Sequence, residues 1–447
     1  MQTPNLDRLV KAGTTFTHAY NMGAWSGAVC VPSRTMLNPG RFLWTTQKLD
    51  RNLEPERAAG RLWALEMKRA GYDTCLTGKW HLKTDAKKVF AVTQHIREGM
   101  PHDSPEGYDR PHEGQPDVWK PWDTKFGGYW EGGKHWSEVV GDDATEFLGR
   151  AANAKHPFFM YIAFNAPHDP RQSPKEFVDK YPLDKIKAPA NFVPEYPYKD
   201  GIGCGRDLRD ERLAPFPRTE YAVKVNRQEY YALITHMDEQ VGRILDALDK
   251  LPDAKNTYVI FTADQGLAVG HHGLIGKQNL FDDSVRVPLL VVGPGVAKGR
   301  KISAPVYLQD IMPTSASRKA VASLMPSPMK PTVWPRPLST RTTRAFCIGE
   351  SLAKMVVRSA RRARAAAVCL VRCPSSGISA RTVAATTGPT PGMASSRLAL
   401  WASTASAAMS WVAAWSQCAM NLHGPGDNLL RQFSVFHRFE TGLLSLA

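Results

Sequence analysis

Three apolar runs of strand length stand out in the first part of the chain. They are residues 72–77, 158–164 and 257–263. Between the second and third runs, residues 228–248 repeat apolar side chains at helical spacing and predict one amphipathic helix. Strands that alternate with helices in this way favour a parallel arrangement. The pattern therefore predicts an α/β fold with a large, mainly parallel sheet flanked by helices.

Each predicted strand is followed at once by ionisable or amide side chains. Lys79 and His81 follow the first strand, His168 follows the second, and Asp264 and Gln265 follow the third. The carboxyl ends of parallel strands meet at one edge of an open sheet, where such folds bind their ligands. We therefore expect these five side chains to share one site.

A cysteine supplies a candidate nucleophile for this site. Residues 30–34 read Cys-Val-Pro-Ser-Arg, and small residues precede Cys30 over 23–29. Pro32 and Ser33 predict a helix start, which places the cysteine at the mouth of a strand-to-helix turn. Amides at a helix N-terminus favour anions at that position. The alternative interpretation of Cys30 is a buried and inert thiol.

Positive charges and oxygen donors complete the candidate set. Arg34, Lys79 and Lys277 carry positive charge, and such a set suits a doubly charged oxyanion because cations neutralise its oxygens. Asp264 and Gln265 offer oxygen ligands, which fit a hard cation such as Ca²⁺ or Mg²⁺ better than zinc. For each lysine taken alone, a solvated surface charge is the alternative interpretation.

Taken together, these motifs resemble those of the formylglycine-dependent sulfatases of the alkaline-phosphatase-like superfamily. The supporting segments, in the family's order, are 3–9 (Thr-Pro-Asn-Leu-Asp-Arg-Leu), 30–34, 78–81 (Gly-Lys-Trp-His), 166–168 (Ala-Pro-His), 261–264 (Phe-Thr-Ala-Asp) and 276–279 (Gly-Lys-Gln-Asn). The resemblance covers roughly residues 3 to 315 and is closest to bacterial iduronate-sulfatase-like and choline-sulfatase-like members. It implies the family's sandwich fold, with a smaller C-terminal subdomain beside the large sheet.

The resemblance implies hydrolysis of a sulfate ester to an alcohol and inorganic sulfate. Cys30 is then oxidised by a separate maturation enzyme to formylglycine, whose hydrate attacks sulfur with one hydroxyl and releases sulfate through the other. Arg34 holds the formylglycine, and His81 is the base for the release step. The modified Cys30 side chain also belongs to the metal site.

The other candidate residues take their roles from the same resemblance. Lys79, His168 and Lys277 bind the sulfate oxygens, and either His168 or Lys277 is the general acid at the leaving oxygen. Asp264 and Gln265 ligate Ca²⁺, with Mg²⁺ as the alternative. For His168, the competing interpretation is a histidine that merely caps a loop.

Two alternatives to sulfate-ester hydrolysis stay open. The enzymatic alternative is hydrolysis of a phosphodiester or phosphonate ester, because members of the same superfamily use formylglycine and a related metal site on phosphorus. The other is an inactive, truncated and frameshifted remnant. The family begins with a buried strand that ends in two metal-binding aspartates, and here Met1 stands directly before the segment 3–9, so we expect that strand to be missing. Pro39 replaces the family's usual Thr, which we expect to make conversion of Cys30 less efficient.

The composition changes after Ser315. Residues 316–447 hold 16 Lys plus Arg against three acidic residues, and arginine, alanine and serine abound. Neither strand alternation nor a capped helical stripe can be assigned there. We therefore divide the chain into a sulfatase catalytic domain, 1–315, and an aberrant tail, 316–447. We expect the tail to be frameshifted and disordered, and the family's C-terminal subdomain to be lost.

Charge and cysteine content limit the partners. The net charge of +15 comes from 57 Lys plus Arg against 42 Asp plus Glu, and most of the surplus lies in the tail. We therefore expect no nucleic-acid partner. Seven scattered cysteines argue against a disulfide framework. No apolar run is long enough to span a membrane and no signal peptide follows Met1, although the family is expected in the periplasm or outside the cell. The expected partners are a sulfated small molecule or sugar and a formylglycine-generating or other sulfatase-maturing enzyme.

Overall fold

The computed structural model describes residues 1–50, 52–99, 104–131 and 133–316 and contains both helices and strands throughout this part of the chain. All of these lie within one unit, Met1–Trp334. The strands are β1 (Thr14–Phe16), β2 (Ala19–Tyr20), β3 (Asp73–Lys79), β4 (Val92–Arg97), β5 (Phe158–Ala163), β6 (Val259–Thr262), β7 (Arg286–Val287), β8 (Leu289–Val292), β9 (Arg300–Ile302) and β10 (Val306–Tyr307). The helices are α1 (Pro4–Ala12), α2 (Cys30–Leu37), α3 (Leu43–Gln47), α4 (Glu54–Ala58), α5 (Trp63–Arg69), α6 (Trp136–Ala151), α7 (Lys175–Asp179), α8 (Glu220–Leu248), α9 (Asp282–Val285) and α10 (Ile311–Ser315).

The predicted elements are present. The three apolar runs form β3, β5 and β6, and the predicted amphipathic helix is the C-terminal part of α8. Helix α8 begins earlier than predicted because the Thr219 side chain accepts a hydrogen bond from the Ala222 amide and caps it. The predicted tail, 316–447, with its lost subdomain, lies outside the described residues from residue 317 onward.

The strands of the described residues form three sheets. One sheet has the order β4-β3-β5 and is parallel throughout. A second, β6-β8-β1-β9, is mixed, because β8 runs antiparallel to both of its neighbours while β1 and β9 are parallel. The third joins the short strands β10, β2 and β7. The α/β class is as predicted, but its strands are divided among sheets rather than joined in one.

Helices cover both faces of β5 and β6. On one face, Leu148 of α6 and Ile244 and Leu248 of α8 pack with side chains of β5. On the other face, Trp63 and Met67 of α5 pack against the same region. These apolar layers hold the carboxyl ends of β3, β5 and β6 in fixed positions.

A cavity of about 300 Å³ lies between β5 and β6. Among the described strands, β5 pairs only with β3 and β6 pairs only with β8. The other edge of β5 and the other edge of β6 both lie along the cavity. Apolar side chains of both strands, including Ile162 and Phe261, line it. Its polar end reaches Arg34, Lys79 and Asp264, which brings the ends of two sheets to one space.

In the part of the chain that the structure describes, none of the helices combines the length and the apolar character needed to cross a bilayer.

Candidate active site

Cys30 is the first residue of α2, and its side chain is 3 % exposed. The prediction of a strand-to-helix turn is half right. The helix is present, but the segment 21–29 before it consists of bends and turns because its small residues offer no alternating apolar face. Pro32 lies in the first turn of α2, where the amide that proline lacks has no helical partner anyway.

Several polar groups converge on the sulfur of Cys30. The Lys79 ammonium lies 3.3 Å from it, and the Gln265 amide nitrogen donates to it at 3.0 Å. Burial and the Asp264 carboxylate raise the pKa of the thiol, but the positive charges of Lys79 and Lys277 help to lower it to about 7. The sulfur therefore marks a position at which negative charge is stabilised.

Arg34 links the ends of β3 and β6. Its Nε donates to the Asp264 carboxylate at 2.9 Å, and its NH1 donates to the Lys79 carbonyl at 2.7 Å. The Asp264 carbonyl accepts from the Ser33 hydroxyl at 2.7 Å and from the Asn21 amide at 2.8 Å. Burial opposes ionisation, yet Arg34 and Lys79 lower the pKa of Asp264 to about 2. Asp264 is therefore ionised and held on both its side chain and its backbone.

Lys277 and His168 form a second pair beside the cysteine. The ammonium of Lys277 lies 3.1 Å from His168 Nε2, 3.1 Å from Asp210 and 3.8 Å from Asp169. Because His168 Nδ1 donates to the Asp169 carbonyl at 2.7 Å, its Nε2 is the acceptor that faces Lys277. Burial disfavours the charged lysine, but the two carboxylates raise its pKa. Burial and Lys277 lower the pKa of His168, so the pair contains a charged lysine and a neutral imidazole.

His81 lies just beyond β3. It adopts a left-handed φ of 56°, so the strand alternation that we predicted to carry its side chain does not extend to it. Within the described residues, its buried Nδ1 has no hydrogen-bond partner and no hydrogen bond joins it to Cys30. Burial, followed by the charges of Lys79 and Arg34, lowers its pKa to about 4. His81 is therefore a neutral base near neutral pH.

The candidate metal ligands make up less than a complete metal site. Gln265 Oε1 is buried without a partner in the described part of the chain, which leaves it free to bind a cation. Asp264 already binds Arg34. Ca²⁺ takes about six to eight oxygens, and among the described residues no group of three or more His, Cys, Asp or Glu could hold a metal. Asp264 and Gln265 therefore supply only part of the oxygen set that a Ca²⁺ or Mg²⁺ site requires.

Sequence reasoning missed the residues that hold the site together. Asp169 follows His168 directly, and its position next to a candidate ligand was a usable signal. Asp210 was not detectable in this way, since it lies in a short 3₁₀ helix, Arg209–Leu213, far from any motif. Ser33 and Asn21 act on a backbone carbonyl, and sequence patterns carry no signal for such contacts.

Comparison with known families identifies the chain's relatives. Residues 1–318 match the family model described as Sulfatase. The chain belongs to the sulfatase family. This match confirms the resemblance inferred from the motifs.

Named sulfatases are similar over most of the same region. A choline-sulfatase of Rhizobium meliloti is 26 % identical over 344 residues, which cover 72 % of this chain and 64 % of the relative. An iduronate 2-sulfatase of Mus musculus is 30 % identical over 343 residues, which cover 70 % of this chain and 58 % of the relative. This sulfatase therefore spans less than two thirds of the length of either relative.

A solved structure supports the fold. The phosphonate monoester hydrolase SpPMH from Silicibacter pomeroyi superposes with a TM-score of 0.55 at 20 % identity, over 72 % of this chain and 68 % of that chain. At this identity, the similarity establishes the alkaline-phosphatase-like fold of the sulfatase and nothing about its substrate.

Proposed function

We propose that this protein hydrolyses a sulfate ester to an alcohol and inorganic sulfate. The observation that carries the proposal is the polar surround of the Cys30 sulfur, with Lys79 at 3.3 Å and Gln265 at 3.0 Å. The Lys277–His168 pair lies beside it. Fixed donors and cations of this kind stabilise charge that develops on sulfate oxygens as the ester bond breaks.

The substrate is a sulfated sugar or a sulfated small molecule. Membership of the sulfatase family supports the reaction, and the names of relatives supply the two kinds of substrate: choline-sulfatase for a small molecule and iduronate 2-sulfatase for a sugar acid. The cationic side chains would bind the sulfate, while the alcohol part would extend away from them. A periplasmic or extracellular location stays an expectation from the family, as does the division of the chain at residue 315.

The nucleophile is formylglycine formed from Cys30 by a sulfatase-maturing enzyme. The surroundings of Cys30 fit this group, because they lower the pKa of an acidic side chain at that position. Formylglycine supplies a hydrated aldehyde whose hydroxyl can attack sulfur. The charge of Lys79, 3.3 Å from the Cys30 sulfur, would stabilise negative charge on such a group, and Arg34 keeps Lys79 in place through its carbonyl.

Protons move at two positions. Lys277 holds the transferable proton, because Asp169 and Asp210 keep its ammonium charged, and His168 Nε2 accepts from it and orients it. The general acid at the leaving oxygen is therefore Lys277 rather than His168. His81, neutral at pH 7, is the base that accepts a proton during sulfate release.

The family generally uses a divalent metal, and we propose Ca²⁺ for this member. Asp264 and Gln265 are the described residues placed to contribute oxygens to it. Since they do not make a complete site, the roles assigned above to Lys79, His168 and Lys277 rest on contacts among the protein's own side chains, and the role of His81 rests on its burial and lowered pKa.

The proposal is tested with protein produced together with a sulfatase-maturing enzyme. Mass spectrometry of the peptide containing Cys30 establishes whether the side chain is an aldehyde. Sulfate release is then measured on an aryl sulfate, choline sulfate and sulfated sugars, with Cys30→Ala as the control. Release by the wild type but not by the control supports the proposal. Hydrolysis of a phosphodiester or phosphonate ester without sulfate release contradicts it, and a folded, matured protein inactive on every ester identifies the inactive alternative.

A further inference from the structure

A buried ion pair lies next to the segment that carries Lys277. The side chains of Glu211 and Arg218 are both 0 % exposed, and Arg218 NH2 donates to Glu211 Oε2 at 2.7 Å. The guanidinium of Arg218 also stacks over the Phe216 ring, 3.5 Å from its centre. Buried ion pairs are weak contributors to stability because desolvation offsets the attraction. Their geometry, however, is well defined, so the contacts of this pair indicate what it fixes.

The Glu211–Arg218 pair makes hydrogen bonds with the backbone that precedes Lys277. Glu211 accepts hydrogen bonds from the Ile275 amide at 3.0 Å and from the Gly276 amide at 2.9 Å, one at each carboxylate oxygen. Arg218 Nε donates to the Gly273 carbonyl at 3.2 Å. Three points of this short segment are thus tied to one buried pair.

The absence of a side chain at Gly276 lets the backbone pack directly against residues 210 and 211. A Cβ atom at this position would lie 2.8 Å from Asp210 Cβ and 3.0 Å from Glu211 Oε1, both closer than ordinary contacts. The backbone therefore passes directly against the residues that hold it, and the next residue is Lys277. Its ammonium then reaches Asp210 and His168 at 3.1 Å each.

We propose that Glu211 is a positioning residue for Lys277. Its carboxylate, neutralised by Arg218, fixes residues 275–276 so that the Lys277 ammonium meets His168 and, in the reaction proposed above, the leaving oxygen. The catalytic consequence rests on the proposed function, but the placement of Lys277 does not. The two can therefore be tested separately.

The placement is tested by lysine labelling at native pH with an amine-reactive reagent, followed by mass spectrometry. Lys277 is 6 % exposed and is expected to label slowly in the wild type. In Glu211→Gln, which keeps the size but loses the charge and an acceptor, Lys277 is expected to label at least about tenfold faster because its segment opens locally. Lys79, 2 % exposed and on β3, is the internal control and should stay protected.

The matched control variant is Glu229→Gln. Glu229 is also a buried glutamate paired with an arginine, Arg110, at 2.7 Å, but it lies on α8, and in the described part of the chain its carboxylate makes no hydrogen bond to residues 273–277. This variant is expected to leave Lys277 protected. Unchanged labelling of Lys277 in Glu211→Gln overturns the proposal, and so does equal exposure of Lys79, which would show general loosening. If Glu211→Gln does not fold, Glu211→Asp replaces it, because the shorter carboxylate keeps the charge but cannot reach both amides.

Kinetics test the catalytic consequence. Glu211→Gln is expected to lower kcat/KM for a sulfate ester at least about thirtyfold, while adding it to Lys277→Met should have little further effect, since the two act as a unit. An equal loss in both backgrounds contradicts positioning through Lys277. If the wild type releases no sulfate, the proposed function fails, and lysine labelling alone decides the role of Glu211.

Discussion

Replacing Lys79 with methionine is expected to remove most of the thiolate character of unmatured Cys30. The two groups lie 3.3 Å apart. Opposite unit charges at this distance attract by about 5 kcal/mol at an effective dielectric of about 20. Losing about half of this attraction is enough to return the pKa of Cys30 from about 7 to its ordinary value of 9.0, because two pKa units correspond to about 3 kcal/mol. At pH 7 the thiolate population then falls from about one half to about one per cent, roughly fiftyfold.

The assay is alkylation of Cys30 by iodoacetamide at pH 7, followed by mass spectrometry of protein made without a maturing enzyme. Lys83→Met is the matched control, because Lys83 is a nearby exposed lysine paired with Asp50 rather than with the cysteine. Cys75 and Cys204, whose pKa values burial raises to about 12, report any general opening. An alkylation rate for Cys30 in Lys79→Met within about threefold of the wild type, with Cys75 still protected, would refute the electrostatic account.

Three further predictions concern Lys277, Asp264 and Gly78. Lys277→Met is expected to lower kcat/KM for a sulfate ester about 100- to 1000-fold, as measured by sulfate release, while Lys83→Met leaves it unchanged. Folding lowers the pKa of Asp264 from 3.8 to about 2, so the ionised carboxylate adds about 2 kcal/mol to the free energy of unfolding above pH 5, and this is lost as the pH falls from 4 to 2. Urea denaturation at pH 3 and pH 6 should therefore show a smaller change of that free energy with pH in Asp264→Asn than in the wild type. Equal changes in the two proteins would contradict this. Gly78→Ala is expected to lower the melting temperature or prevent folding, because Gly78 has a φ of 90° and a Cβ there would overlap the Ala163 carbonyl in the β3–β5 pairing. The control is Gly149→Ala, because a Cβ at Gly149 has no atom within 4 Å in the described part of the chain. Equal melting temperatures of the two variants would exclude the overlap.

The strands that carry the site could be predicted because their signal is local. The runs that became β3, β5 and β6 are apolar over several residues and end in polar side chains. The parallel pairing of β3 with β5 agrees with that pattern, so the meeting of Lys79 and His168 at one edge was accessible from sequence. Asp264 follows β6 of a second sheet and reaches them across the cavity, which the sequence did not indicate.

The other parts of the site and fold depend on contacts between distant segments. Strands such as β2 and β7 have two residues each and are too short to show a period. The left-handed turn that places His81 breaks a strand alternation that sequence alone would continue. Glu211 lies in a short 3₁₀ helix, and its partners are backbone amides more than sixty residues later. None of these features leaves a pattern in the chain.

The gap between β5 and β6 affects how the protein behaves at high concentration. An open strand edge presents backbone amides and carbonyls to which another extended chain can add. Natural proteins discourage such addition with charges or proline, but β5 reads Phe-Phe-Met-Tyr-Ile-Ala and β6 reads Val-Ile-Phe-Thr. Among the described strands nothing pairs with these two edges, so both are suited to accept a strand. We expect molecules in which no strand pairs with these edges to associate with one another through β5 and β6. Pairing of a strand with both edges should therefore increase the solubility of the protein.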